Sequence, residues 1–291
     1  MKSPSASHWL TYQPGFKFTS EPPGSPAFFD AVEAHRYELE PHIPGIAEFD
    51  RWAGKDVLDV GCGVATDGIR FARAGARYTG FDGSQTAVDL ARRRFDLEGV
   101  PGTIVHGHAT ELPFDDASFD LVWSHGVIHH FPATEKAVAE IHRVLRPGGT
   151  ALVMVYHRAS FNYRFTILLV RRALAGVLLL PGAGAVLSRL TGESSATMEG
   201  HRALLKQHGL RYLTDRQLFL SNNTDGPGNA LSKVYDARQA RRLFARFESV
   251  ETEVRFLNLR IYPMSARIAG TRVAERLGRR WGWHLYVRAT R

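Results

Sequence analysis

Asp59, Gly61, Gly63 and Asp82 are the residues whose types and spacing speak most directly of chemistry. The first three lie in DVLDVGCGVATDG (56–68), where an apolar run ends in a carboxylate followed by bare backbone. Glycine admits main-chain angles closed to other residues and lets a ligand lie against the chain. These glycines therefore make a seat. Asp59 precedes Gly61 by two residues, at a strand end, where a carboxylate suits a cation and opposes a diphosphate. Asp82 lies twenty-one residues beyond Gly61 and can accept hydrogen bonds from both hydroxyls of a ribose. The dinucleotide fingerprint G-x-G-x-x-G needs its third glycine at 66, where this chain has Thr66 and no glycine until Gly68. A ligand with a ribose and a positive group but no phosphate fits these residues.

The elements that must position them are legible in the hydrophobic rhythm. VLDV (57–60), ARYTGFD (76–82), GTIVHG (102–107), FDLVWS (119–124) and ALVMVY (151–156) read as strands. Helical patterns separate them at 66–75, after the N-cap Ser84, and at 134–146, where RPGG (146–149) reads as a stop. Apolar strands alternating with helices imply a doubly wound, Rossmann-like α/β domain with a mostly parallel sheet. Its ligands bind beyond the carboxyl ends of the strands, where the glycines and both aspartates fall. After Tyr156 the rhythm breaks. The apolar stretch FTILLVRRALAGVLLLPGAGAVL (165–187), a polar helix near 198–208 and the turn-rich SNNTDGPGN (221–229) read as a helical cap insertion. A helix near 236–246, a strand at 249–257, a helix near 264–280 and a strand at 284–289 resume the sheet. The expected division is a leader and helical lid segment at 1–54, a cofactor-binding core at 55–157, the insertion at 158–232 and completion of the sheet at 233–291.

S-adenosylmethionine, with an ammonium, a sulfonium and a ribose, meets the description of the ligand. VLDVGCGVATDG, YTGFDGS, GHATELPFDDASFDLVWSHGVIHHF and LRPGG, in that order over roughly residues 55–157, resemble the class I S-adenosylmethionine-dependent methyltransferases of the small-molecule type. The resemblance implies that Asp59, Gly61, Cys62 and Gly63 contact the methionine end of S-adenosyl-L-methionine, and Asp82 and Gly83 the ribose. His108, Ala109 and Thr110 would border the adenine, and Ser124 and His125 would lie near the transferable methyl. His108 stands where many relatives carry an acid. In some relatives an arginine from a helix ahead of the core pairs with the methionine carboxylate; EAHRYELEPHI (33–43) reads as such a helix and offers Arg36.

Methyl transfer is an in-line displacement, so the protein supplies alignment, exclusion of water and, for a protonated nucleophile, a base. His125 and His129 are spaced i, i+4 and share a face if the segment after the fourth strand is helical. Tyr156 and His157, at the end of the fifth strand, are further catalytic candidates. No carboxylate or cysteine completes a metal set around the histidines, so none is expected. SNNTDGPGN reads either as an exposed turn or as a polar edge of the acceptor site. The tetrad SHGV (124–127) replaces the Asn/Asp-Pro-Pro-aromatic motif of enzymes that methylate planar amino groups. An apolar cap over a polar floor suggests a small hydrophobic acceptor with a hydroxyl, carboxylate, amine or acidic carbon.

Composition sets the outer bounds. The chain has 291 residues, a net charge of +8 and a single cysteine, Cys62, which excludes an internal disulfide and points to a reducing, cytoplasmic setting. MKSPSASHWLTYQPG (1–15) reads as a loose leader without the apolar core of a secretory signal. Residues 1–157 carry 14 basic and 20 acidic side chains, residues 158–291 carry 23 and 9. That basic half leaves open an anionic, peptide or RNA acceptor and a weak membrane-surface contact, although no dense run of arginines and aromatics marks a nucleic-acid platform. A module that binds the cofactor and transfers nothing is the alternative from another class.

Overall fold

The computed structural model describes residues 19–259, 262 and 271–291. The leader at 1–15 and the start of the helix expected near 264–280 lie outside them. The chain forms two compact units, one of residues 1–155, 237–253 and 286–291, the other of 156–236 and 254–285.

The first unit opens with helix α1 (Pro26–Leu39), which begins before the expected residue 33. Ser25 caps it, its hydroxyl accepting the Phe28 amide hydrogen at 3.1 Å, and Pro26 supplies the fixed φ that favours a first helical position. Pro41, two residues past its end, disfavours helical backbone at Glu40. Helix α2 (Ile43–Ala47) and a 3-10 turn (Phe49–Trp52) lead into β1 (Asp56–Val60), whose last four residues are buried. There follow α3 (Gly68–Arg73), β2 (Arg77–Asp82), α4 (Gln85–Glu98), β3 (Thr103–His106), β4 (Phe119–His125), α5 (Thr134–Val144) and β5 (Leu145–Tyr156). The tetrad RPGG lies inside β5, which starts six residues before the expected Ala151. Arg146–Gly149 thus continue the strand and do not form a separate stop.

β1 pairs in parallel with β2 on one side and β4 on the other; β3 adds to β2 and β5 to β4. The seven-stranded order is β3-β2-β1-β4-β5-β7-β6, with β6 at Ser249–Arg255 and β7 at His284–Thr290. Helix α11 (Ala237–Leu243) precedes β6. The sheet is the mostly parallel, Rossmann-like α/β fold expected. Chain order reverses direction at β1, the switch point where such sheets open a crevice at their carboxyl edge.

The second unit is mainly helical. Asn162–Arg171 is wound as a π-helix that runs on into α6 (Arg172–Val177). Pro181 lies in the turn before α7 (Ala183–Thr191). Helices α8 (Ser195–His208), α9 (Arg211–Thr214) and α10 (Arg216–Thr224) follow, and α12 (Arg272–Trp281) lies in the later segment. No helix among the described residues is long and apolar enough to cross a membrane.

Candidate active site

At the carboxyl ends of β1, β2 and β4 the first unit holds a cavity of about 370 Å³. Its floor is the turn after β1. Gly61 (φ 82°) reverses the chain there, and its amide donates to the Phe81 carbonyl at 2.7 Å. A Cβ on Gly61 would sit 2.3 Å from a Val127 methyl, so only glycine fits. Gly63 (φ 55°) faces open space, and Cys62 between them is buried in the cavity wall.

Both predicted carboxylates line this cavity. Asp82 Oδ2 accepts the Gly63 amide at 2.9 Å and Oδ1 accepts the Ser84 amide at 2.8 Å. Each oxygen keeps acceptor capacity for a further donor. Asp59 is buried and accepts the Tyr78 hydroxyl at 3.0 Å. Burial, reinforced by the negative charge of Asp67, pushes Asp59 well above the usual aspartate range, and burial raises Asp82 too. Both groups gain from a cationic or hydrogen-bond-donating ligand.

Asp67, which is not among the expected site residues, organises the wall. Its carboxylate receives Arg36 Nη2 at 2.8 Å, the Tyr37 hydroxyl at 2.9 Å and Trp123 Nε1 at 3.2 Å. Arg36 lines the cavity and also pairs with Glu40 at 3.0 Å. Its Nε is buried with no hydrogen-bond partner among the described residues. The signal for Asp67 was its place eight residues after Asp59, at the start of α3.

Gly83, His108 and Ala109 lie on the wall as well. His108 Nδ1 is 2.8 Å from the Thr110 hydroxyl, and Phe131 sits beside its ring. Thr110 is not on the wall. Ser124 is a correction: it is fully buried and donates to the Val60 carbonyl at 2.9 Å, holding β4 to β1 instead of facing the cavity.

The expected shared helix face of His125 and His129 is a second correction. His125 ends β4, the backbone turns at Gly126 (φ 81°), and His129 falls in a 3-10 turn (Ile128–His130), buried in the core. His125 does line the cavity, its Nε2 2.8 Å from the Tyr286 hydroxyl and its ring stacked on Trp123. That hydroxyl also meets His42 Nε2 at 3.0 Å. Tyr156 and His157 belong to the second unit. Tyr156 donates to Asp225 at 2.6 Å and stacks on Trp283, while His157 Nδ1 lies 3.0 Å from the Gly282 carbonyl. Burial lowers the pKa of His157. In SNNTDGPGN the first four residues are helical, and Asn222 and Asn223 are buried, Asn223 donating to the Tyr212 hydroxyl at 3.0 Å. It is not a plain exposed turn.

Comparison with known proteins agrees with this geometry. The family description "Methyltransferase domain" matches residues 58–153. A fatty-acid O-methyltransferase of Mycolicibacterium smegmatis is 34% identical over 136 residues, 46% of this chain and 48% of the relative. A phthiotriol/phenolphthiotriol dimycocerosates methyltransferase of Mycobacterium tuberculosis is 42% identical over 98 residues, 33% of this chain and 36% of the relative. The chain thus spans half or less of the length of these curated relatives. The PH0226 protein of Pyrococcus horikoshii shares the fold, with a TM-score of 0.53 at 16% identity over 97% of this chain and 98% of that one. The segment that matches the methyltransferase-domain description holds the glycine turn and both carboxylates, Asp59 and Asp82, of the cavity.

Proposed function

We propose that this protein transfers a methyl group from S-adenosylmethionine to a small, largely apolar acceptor at an oxygen, nitrogen or acidic carbon. The observation that carries the reading is the pair of carboxylates, buried Asp59 and half-buried Asp82, on neighbouring strand ends of one cavity. The residues fit the cofactor on five counts. Asp82 is already oriented by two backbone amides with acceptor sites to spare for ribose hydroxyls. The buried Asp59 calls for a cation, which the ammonium provides. Gly63 leaves space at the floor, and the unmatched Nε of Arg36 would serve a ligand carboxylate. His108 and Ala109 would border the adenine.

When bound, the cofactor supplies a methyl on a positively charged sulfur, activated for displacement. The chain's own work is alignment and exclusion of water. His125, oriented by Tyr286 and Trp123, would take up the proton that an acceptor hydroxyl or amine releases. His129, Tyr156 and His157 have structural roles in this reading. The relatives named for fatty-acid and phthiotriol methylation support a lipid-like acceptor.

Isothermal titration should show binding of S-adenosylmethionine, and Asp82→Ala should weaken it by about 100-fold, the effect of losing two hydrogen bonds to a charged group. Incubation with labelled cofactor and a lipid extract, read by mass spectrometry, should reveal a product heavier by one methyl. A folded protein that ignores the cofactor at millimolar concentration would overturn the reading.

A further inference from the structure

The helical unit shows an unusual surface between residues 161 and 192. Phe165 and Leu169, four residues apart on one face of the π-helix, are 43% and 59% exposed. Leu179 and Leu180, in the turn before α7, are 58% and 60% exposed, and Val186 and Leu190, again four apart on α7, are 57% and 71% exposed. The opposite faces are apolar as well: Ile167, Ala175, Ala183 and Leu187 are buried within the unit. A helix that is apolar on its inner face and apolar again outside calls for a second apolar environment.

Charge says which one. Residues 161–192 hold four arginines and no acidic side chain. Arg171 pairs with Glu193 at 2.8 Å, and Arg172 lies over the Phe219 ring. Arg164 and Arg189 are exposed, and each is the chain neighbour of an exposed apolar residue, Phe165 and Leu190. Long cationic side chains beside exposed leucines suit the boundary between acyl chains and anionic headgroups, where leucines sink in and guanidinium groups meet phosphate. A second copy is a poorer occupant, because a two-fold contact would set this acid-free surface against itself. A nucleic acid would leave the leucines in water, with little aromatic surface to stack bases.

We infer that this surface docks on an anionic phospholipid bilayer, lying in the interface without crossing it. The turn at Leu179–Leu180 enters the acyl boundary, and Arg164 and Arg189 meet the headgroups. The inference is independent of methyl transfer, since it rests on residues outside the cofactor cavity.

Flotation of the full chain with vesicles tests it. Vesicles of phosphatidylglycerol and phosphatidylcholine should carry the protein, and vesicles of phosphatidylcholine alone should carry about tenfold less or none. Replacing Leu179 and Leu180 together by Ser should weaken binding by about tenfold or more, given the apolar area withheld from lipid. Arg164→Gln or Arg189→Gln should each cost about fivefold, an effect that rising salt abolishes. All four positions are exposed, so melting temperature and cofactor titration should match those of the parent chain. Three results would overturn the inference: parent chain absent from both vesicle types, the leucine variant floating like the parent, or light scattering showing a dimer that the leucine variant dissolves.

Discussion

A buried carboxylate holds its proton more tightly in the folded chain than in the unfolded one, and Asp59 is in that position. The stability this group contributes is therefore full below the ordinary aspartate range and declines as pH rises through its raised folded value. Asp59→Asn keeps an acceptor for the Tyr78 hydroxyl and removes the charge. At neutral pH the ligand-free variant should be more stable by about 1–3 kcal/mol, the gain vanishing below pH ~4, as thermal melts across pH would show. The same variant should bind S-adenosylmethionine about tenfold or more weakly, a trade of affinity for stability. At this scale the sequence exposed the two aspartates and the glycines because their spacing follows from strand and turn geometry. Asp67 stayed hidden, since its importance comes from Arg36, Tyr37 and Trp123, which approach it from distant parts of the chain. Ser124 was misplaced for a related reason: side chains alternate along a strand, and the alternation turns this hydroxyl toward the Val60 carbonyl.

Among elements, strands and helices of the core were legible from apolar runs and caps, whereas their ends were less so. Helix α1 starts early because Ser25 and Pro26 form a cap that the apolar rhythm alone does not show. The loop before β4 has a related feature at Ala117, whose φ of 54° lies in the left-handed region. That conformation costs an alanine about 1–2 kcal/mol, partly offset on replacement by the greater freedom of glycine in the unfolded chain. Ala117→Gly should stabilise by about 0.5–1 kcal/mol, raising Tm by roughly 1–3 °C in calorimetry. In the second unit, His201 of α8 is buried with Nδ1 2.7 Å from the Tyr212 hydroxyl, and burial lowers its pKa to about 4. The neutral ring favours the folded state, so its contribution is complete above pH ~6.5 and is lost as pH falls toward 4. Circular dichroism melts should show a loss on the order of 3 kcal/mol across that window, and His201→Gln should flatten it.

For the molecule as a whole, stability is linked to whatever the cavity binds. S-adenosylmethionine or its demethylated product, at one hundred times its dissociation constant, should raise global stability by about 2.7 kcal/mol, visible as an upward thermal shift of a few degrees. Nicotinamide dinucleotides should produce none, because Asp59 opposes a diphosphate and the third glycine of their fingerprint is absent. The fold class was readable because alternation of strand and helix admits few topologies. The discontinuous division of the chain was harder: residues 254–285 cluster with the helical unit although their sequence reads like more of the sheet. Periodicity identifies an element and is silent about its neighbours.

The convergence of three donors on Asp67 gives the wall a collective behaviour. Arg36, Tyr37 and Trp123 belong to two separate elements, yet one acceptor fixes all of them. Whatever displaces that single oxygen pair releases helix, phenol and indole together, so loosening there is abrupt rather than graded.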